Sequence, residues 1–379
     1  MPRTVFLKIH LWAGMAAAVF LFALGLSGAL LTFEGVIDPA LNAHFWYVKP
    51  QGSRLTLTQI EALVLQAFPQ SKVQGMDLQQ KRDESVHVFV VQLNGREVGI
   101  AVNPYTGEIL GRSDQLFRPM LAIRGFHTHL LIRRGSGQII VTAAACCLFG
   151  LEVTGLMLWW PRKISKVRRG ASQRVVFDLH QMIGLWSSAC VLVFALTGMT
   201  IGFEDQVGRW AAEISHVQSK PWPRSKPHEA GMKALSPDEL VAKAESIAPG
   251  ALPVGFDLGD GADDPPVVFM KFPEDHTSIG RTRVILDQYT GEVLRFENTR
   301  TMPMPVKYAR LWNIEIHTGD IFGWPTRILA CVFSLAVTAL AITGPWIWWN
   351  RTRLPKIANG RGSVVPTARG TFLIAKSRQ

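Results

Sequence analysis

Four stretches of this chain, approximately 5–33, 136–160, 175–203 and 322–349, are long and apolar enough to cross a hydrocarbon core. Such a core is roughly 30 Å thick and takes about 20 residues of helix. They divide the 379 residues into membrane helices 1–33, 136–160, 175–203 and 322–349, connecting segments 34–135, 161–174 and 204–321, and a tail 350–379. The first stretch begins with Arg3 and Lys8, as a signal peptide would. Its apolar run is too long for a signal core of about 7–15 residues, and it is copied later in the chain. The expected class is therefore a membrane α-helical protein with four transmembrane helices.

The net charge of +11 resembles a nucleic-acid signal until it is located. Segments 1–8, 161–174 and 350–379 hold 15 of the 40 Lys and Arg and no acidic residue, leaving 25 basic against 29 acidic residues elsewhere, a net of −4. That is the positive-inside pattern. It places both termini and the 161–174 loop in the cytoplasm of an inner membrane, with 34–135 and 204–321 outside in the periplasm. A lipid bilayer is thus the expected partner, and nucleic acid is not. All four cysteines (Cys146, Cys147, Cys190 and Cys331) fall inside apolar stretches, and no C-x-x-C-H is present to attach a c-type haem.

The chain is a tandem duplication of helix, outer segment, helix. Leu26-Ser27-Gly28 matches Leu196-Thr197-Gly198 at an offset of 170, which also pairs His10 with His180 and Gly14 with Gly184. Thr154-Gly155 matches Thr343-Gly344, and Trp159-Trp160 matches Trp348-Trp349, at an offset of 189. Asn103-Pro104-Tyr105-Thr106-Gly107-Glu108 matches Asp287-Gln288-Tyr289-Thr290-Gly291-Glu292. Two helices return the chain to its starting side, so the repeats share one orientation and an axis along the membrane normal. Each outer segment reads as α+β. Helix starts are expected near Thr58 and at Ser236-Pro237. Strands are expected at 86–92, 97–102, 267–272 and 282–287, and each Tyr-Thr-Gly-Glu is a turn with glycine at positive φ.

This arrangement resembles the PepSY-associated transmembrane family, with two PepSY-like outer domains, over nearly the whole chain. The motifs that carry the likeness are Leu179-His180 with Gly184, the Tyr-Thr-Gly-Glu turns and the Thr-Gly-x-x-x-Trp-Trp helix ends.

Five of the ten histidines lie at helix ends. His10 and His180 are just inside helices 1 and 3 at the cytoplasmic side; His127, His129 and His317 precede helices 2 and 4 at the outer side. A single histidine on an apolar face is more often a core residue than a ligand. These differ in three ways: ionisable groups in membrane helices are expensive, they recur in both repeats, and small residues accompany them. Gly14 and Gly184 lie one turn from His10 and His180, and Gly28 and Gly198 lie 18 residues on, along the same face. A small-residue stripe alone suits close helix packing; one that starts at a histidine on both partners suits a flat cofactor. Zinc sites want four protein ligands, whereas two histidines suit the axial positions of haem iron. The reading is two haem b groups, one held through iron by His10 and His180, the other by His317 with His127 or His129. The helix-end alignment sets Thr128 opposite His317 and leaves the choice open; the family pattern, a histidine three residues before a Leu pair, matches His127.

Other residues carry weaker signals. Arg162, Lys163 and Arg174 inside, and Arg124, Arg133 and Arg327 outside, suit propionates or simple interface anchoring. Glu152, mid-helix with Ala341 at the matching position, is a proton carrier or a structural carboxyl. Glu34 and Glu204 suit the interface or a cation; His44 and His216, near Trp46, Tyr47 and Trp222, suit a substrate contact less well than plain surface positions. No dinucleotide, P-loop or nucleophile-elbow motif is present, and no residue is singled out as catalytic. The family includes ferric-siderophore reductases, so the resemblance implies an oxidoreductase. It would pass electrons from a separate donor, a cytoplasmic reductase or a quinol, to a ferric siderophore or other ferric chelate outside. A membrane-anchored PepSY binding or protease-regulating protein, and a haem or metal carrier, remain the alternatives.

Overall fold

The computed structural model describes residues 3–116, 118–160, 172–217, 221–226, 232–277 and 280–353. The first repeat runs α1 (Arg3–Leu31), α2 (Glu34–Leu41), α3 (Ala43–Trp46), α4 (Leu57–Ala67), β1 (Ser71–Asp77), β2 (Val86–Gln92), β3 (Glu97–Val102), β4 (Ile109–Arg112), α5 (Pro119–His129) and α6 (Arg134–Trp159). The second runs α7 (Ser172–Gly202), α8 (Glu204–Ile214), α9 (Pro237–Ile247), β5 (Leu252–Asp257), β6 (Val267–Lys271), β7 (Thr282–Leu286), β8 (Val293–Glu297), α10 (Met304–Lys307), α11 (Asn313–Thr318) and α12 (Trp324–Arg353).

The four apolar stretches become α1, α6, α7 and α12, the helices long and apolar enough to cross a membrane. In hydrocarbon a single segment must satisfy its own backbone, and only a helix does so. α1 packs on α6 and α12, and α7 packs on the same two. The bundle order is therefore α1, α6, α7, α12, with the duplicated α1 and α7 on one diagonal. Ala17, Leu21, Ala144, Val191 and Val337 fill its centre. Cys146, Cys147, Cys190 and Cys331 are free thiols within these helices.

The outer segments do not form two separate sheets. Their strands join in one eight-stranded antiparallel sheet, ordered β4-β3-β2-β1-β5-β6-β7-β8. The join is β1 with β5, where Gly75 faces Asp257, Met76 faces Phe256 and Asp77 faces Gly255. The Gly-x-Asp triplet is thus paired with its own copy about the pseudo-twofold axis. Glycine is required at position 75, because a Cβ there would strike the Phe256 carbonyl oxygen. One core serves both halves: Ile60, Val64 and Val88 of the first repeat pack in the same cluster as Leu240, Ala244 and Val268 of the second. Each fully buried aliphatic side chain of this kind contributes roughly 1.5–3 kcal/mol.

Both helices above the sheet open with capping boxes. Ser236 caps α9 with Glu239, and Thr56, two residues before the expected start, caps α4 with Gln59. Asp238 then crosses between repeats and accepts from the Leu57 and Thr58 backbone amides at 2.9 and 2.8 Å. The Tyr-Thr-Gly-Glu turns form as expected, with Gly107 at φ 75° and Gly291 at φ 69°. Strands β1 and β5 are missed by alternation, since a bulge interrupts each beside its glycine.

α3 docks under the sheet through His87. The Phe45 and Trp46 rings lie 4.8 and 4.4 Å from its ring centre, and the Ser85 hydroxyl is 3.1 Å from Nε2. Burial, followed by the nearby Arg118 guanidinium, pushes the His87 pKa down to about 4. A base whose folded pKa lies below its unfolded value of 6.5 binds fewer protons folded than unfolded. Stability therefore falls as pH drops from about 6.5 toward 4, by roughly 3 kcal/mol at the limit. Asp77, opposite His87 on β1, is raised by burial to about 6 and acts in the reverse sense. The comparison is therefore made against His87→Gln. In thermal melts, wild type minus H87Q should lose stability between pH 6.5 and 4; a difference that does not vary with pH overturns the assignment.

Candidate functional site

The chain brings four histidines together as two pairs, one at each end of the bundle. His10 on α1 and His180 on α7 face each other at the end away from the sheet, with ring centres 6.4 Å apart. His127 on α5 and His317 on α11 face each other at the sheet end, also 6.4 Å apart. Each repeat supplies one histidine to each pair.

A hydroxyl holds every ring from behind. Nδ1 of His10 lies 3.0 Å from Thr154 Oγ1, and Nδ1 of His180 lies 2.7 Å from Thr343 Oγ1. Nδ1 of His127 lies 2.9 Å from Ser27 Oγ, and Nδ1 of His317 lies 2.9 Å from Thr197 Oγ1. Each hydroxyl donates its one hydrogen to the helix carbonyl four residues back: Gly150, Ala339, Ala23 and Val193 respectively. It can then only accept from the ring. This arrangement assigns the hydrogen of each ring to Nδ1 and leaves the lone pair on Nε2.

A glycine follows each of these hydroxyl residues and makes room for the ring. A Cβ on Gly155 would stand 3.3 Å from His10 Cε1, and on Gly344 3.6 Å from His180 Cε1. On Gly28 it would stand 3.1 Å from His127 Cε1, and on Gly198 3.4 Å from His317 Cε1. Gly28 and Gly198 were expected to clear space for a cofactor; they seat the imidazoles of α5 and α11 instead. The Ser/Thr-Gly dipeptide on all four helices was visible in the repeat alignment, but nothing there showed that it meets a histidine from another element.

His129 stays outside the pairs. Its ring folds back toward Gly125, where a Cβ would be 3.4 Å from its Cε1, and its Nδ1 is buried without a hydrogen-bond partner among the described residues. Gly137 lets α6 pass against the His129 backbone, which a side chain would strike. Leu130 and Leu131 after it both adopt positive φ, at 56° and 57°, a conformation that costs a bulky residue energy.

The pair away from the sheet borders a cavity of about 410 Å³ that Gly14, Gly184, Glu152, Arg3 and Arg351 also line. That volume lies in the range of ligand pockets. Two of the basic residues expected near the sites form ion pairs. Arg124 is paired with Glu34 at 2.5 Å. Arg327 is paired with Asp320 at 2.6 Å. Arg133 stands just before α6 and Glu204 in the first turn of α8. Arg174 lines a separate recess beside Gln173 and Asn350, while Arg162 and Lys163 lie outside the described residues. His44 and His216 are exposed and join neither pair. Trp46 stacks on His87, and the Trp222 indole is paired with Asp264 at 3.4 Å; Tyr47 bridges to Glu84.

Two opposed imidazoles per site, without a third donor, suit a metal that brings equatorial ligands of its own. Among the described residues no cluster of three or more His, Cys, Asp or Glu is placed to hold a bare ion. Imidazole–metal bonds of about 2.0–2.1 Å, with the ring centre about 1.1 Å behind the nitrogen, give about 6.3 Å between ring centres across one metal. The 6.4 Å separation at both ends fits one metal between each pair.

The model of the family described as the PepSY-associated TM region matches residues 7–351. The chain belongs to the PepSY-associated transmembrane family. The match takes in all four long helices, the whole sheet and both histidine pairs. This member of the family is a multi-pass membrane protein with an α+β part outside the helices. No curated protein matches it.

Proposed function

We propose that the protein holds one haem b between His10 and His180 and a second between His127 and His317, and passes electrons along the bundle. The observation that carries this reading is the repeated geometry: two histidine pairs, each at 6.4 Å, each ring held at Nδ1 by a helix hydroxyl. Bound haem would supply a one-electron iron couple in a low-dielectric surround. The chain's part is to present Nε2, to lock the tautomer and to exclude water. Gly28 lies 18 residues beyond His10 on α1, so the two sites are set about 27 Å apart along the axis. Leu21, Ala144 and Val191 pack the interval.

In this reading the basic end is cytoplasmic and the sheet is periplasmic, at an inner membrane. Electrons enter from a cytoplasmic reductase or a quinol and leave to a ferric siderophore or similar ferric chelate at the sheet end. Reduction loosens such a chelate because its hard oxygen ligands prefer Fe(III). The first test is an absorption spectrum of the purified protein, with a Soret band and a dithionite-sensitive α-band at two haems per chain expected. Their absence would refute the reading. Reduced protein mixed with a ferric chelate should reoxidise; haem that stays reduced would point to a carrier instead.

A further inference from the structure

The duplication allows the wall of the cavity between His10 and His180 to be compared side with side. Most of it comes in matched pairs: His10 with His180, Gly14 with Gly184, Gly155 with Gly344 and Trp159 with Trp348. Apart from the exposed Arg3, Thr4 and Arg351, two polar residues break the match. Glu152 on α6 stands opposite Ala341, and Gln181 on α7 stands opposite Leu11; all four line the cavity. Glu152 is 7% exposed, and the Gln181 Oε1 is buried without a hydrogen-bond partner among the described residues. α6 and α7 pack side by side, so Glu152 and Gln181 lie on one half of the bundle. The other ionisable groups on this cavity are Arg3 and His10 from α1, His180 from α7 and Arg351 from α12. Glu152 is the one acidic residue of α6.

We propose that Glu152 takes up one proton when the site between His10 and His180 takes up one electron. The inference rests on the reading of those histidines as axial ligands. An electron entering a water-poor cavity adds one negative charge, and uncompensated charge there is expensive. A carboxylate in the same wall makes that cost higher, and its protonation removes it. The Gln181 carbonyl oxygen, a second negative dipole end in the wall, biases Glu152 in the same sense. The balance is one electron from the reductase or quinol and one proton from the cytoplasmic side. Both leave when the electron moves to the other site, the proton returning to the side it came from. Cytoplasmic proton concentration then sets how readily the first site is reduced.

The test is redox potentiometry of the full-length holoprotein between pH 5.5 and 8.5, followed by optical spectra. The component lost in His180→Ala identifies the site. Its midpoint should fall with rising pH in wild type at a slope approaching one proton per electron. In Glu152→Gln it should be pH-independent and lie at the low-pH wild-type level, with the other site unmoved. Glu152→Asp, which keeps a carboxyl, should keep the slope over a displaced pH range. This also decides the matter if the Gln variant does not fold. A slope that persists in E152Q, or one that is lost in E152D, overturns the role of Glu152 while leaving the haems in place. Absence of haem from wild type overturns the reading beneath it.

Discussion

On the proposed di-haem reading, replacing His180 with alanine should remove about half of the bound haem and leave the spectrum of the sheet-end site unchanged. His10→Ala should do the same, because the two rings lie 6.4 Å apart across the diagonal of the bundle. A single imidazole and a cavity wall hold a cofactor less firmly than two ligands do. The sheet-end pair stands on other elements, α5 and α11, and has its own hydroxyl partners Ser27 and Thr197. Distant sites without shared partners respond independently. His127→Ala should accordingly remove the other half, and His129→Ala should remove neither, since the His129 ring is turned toward Gly125. Pyridine haemochrome assay of each variant against protein concentration reads the stoichiometry. Unchanged haem in H180A, or loss of both haems, would sink the two-site assignment; loss in H129A with retention in H127A would reverse the choice of ligand.

A larger side chain at the four seat glycines should act with the same selectivity, although none of these residues is a ligand. Gly155→Val and Gly344→Val should empty the site away from the sheet, and Gly28→Val and Gly198→Val the site beside it. A Cβ alone would come within 3.1–3.6 Å of a ring carbon at these positions, and valine adds two methyls at that point. Overpacking of this kind costs typically about 1–3 kcal/mol. Moving the imidazole also breaks its Nδ1 hydrogen bond, and a donor left unpaired costs roughly another 1–3 kcal/mol. The variant escapes both costs by turning the ring away, which ends ligation. Gly150→Ala is the control, since nothing lies within 4 Å of a Cβ there. The readouts are haem stoichiometry and far-ultraviolet circular dichroism. If valine at Gly28 and at Gly155 depletes the same site, or neither, the glycines are ordinary helix-packing residues.

What could be read before the structure was in hand followed from local energetics and from the repeat. The cost of an unsatisfied backbone in hydrocarbon makes each long apolar stretch a helix, and the observed ends of α1, α6, α7 and α12 lie within a few residues of those expected. Runs rich in Val, Ile and Phe mark β2, β3, β6 and β7, and the ungapped offset of 170 pairs His10 with His180.

The rest depended on contacts between segments far apart in the chain. The bulge beside Gly75 breaks the alternation of β1, which pairs with β2 on one side and with the same Gly-x-Asp triplet of β5 across the axis on the other. His127 and His129 lie on one short helix and are alike in composition and spacing. Tertiary packing separates them, as Ser27 and Gly28 of α1 receive the first and Gly137 of α6 crowds the backbone of the second. The sequence by itself determined how many long apolar helices there are, which way the repeats run and which histidines are close to helix ends, since all of these depend on the neighbours of a residue along the chain. The facing of the rings, their tautomer and the seat each glycine provides were decided only by the fold, because a hydrogen bond and a van der Waals contact depend on distance in space.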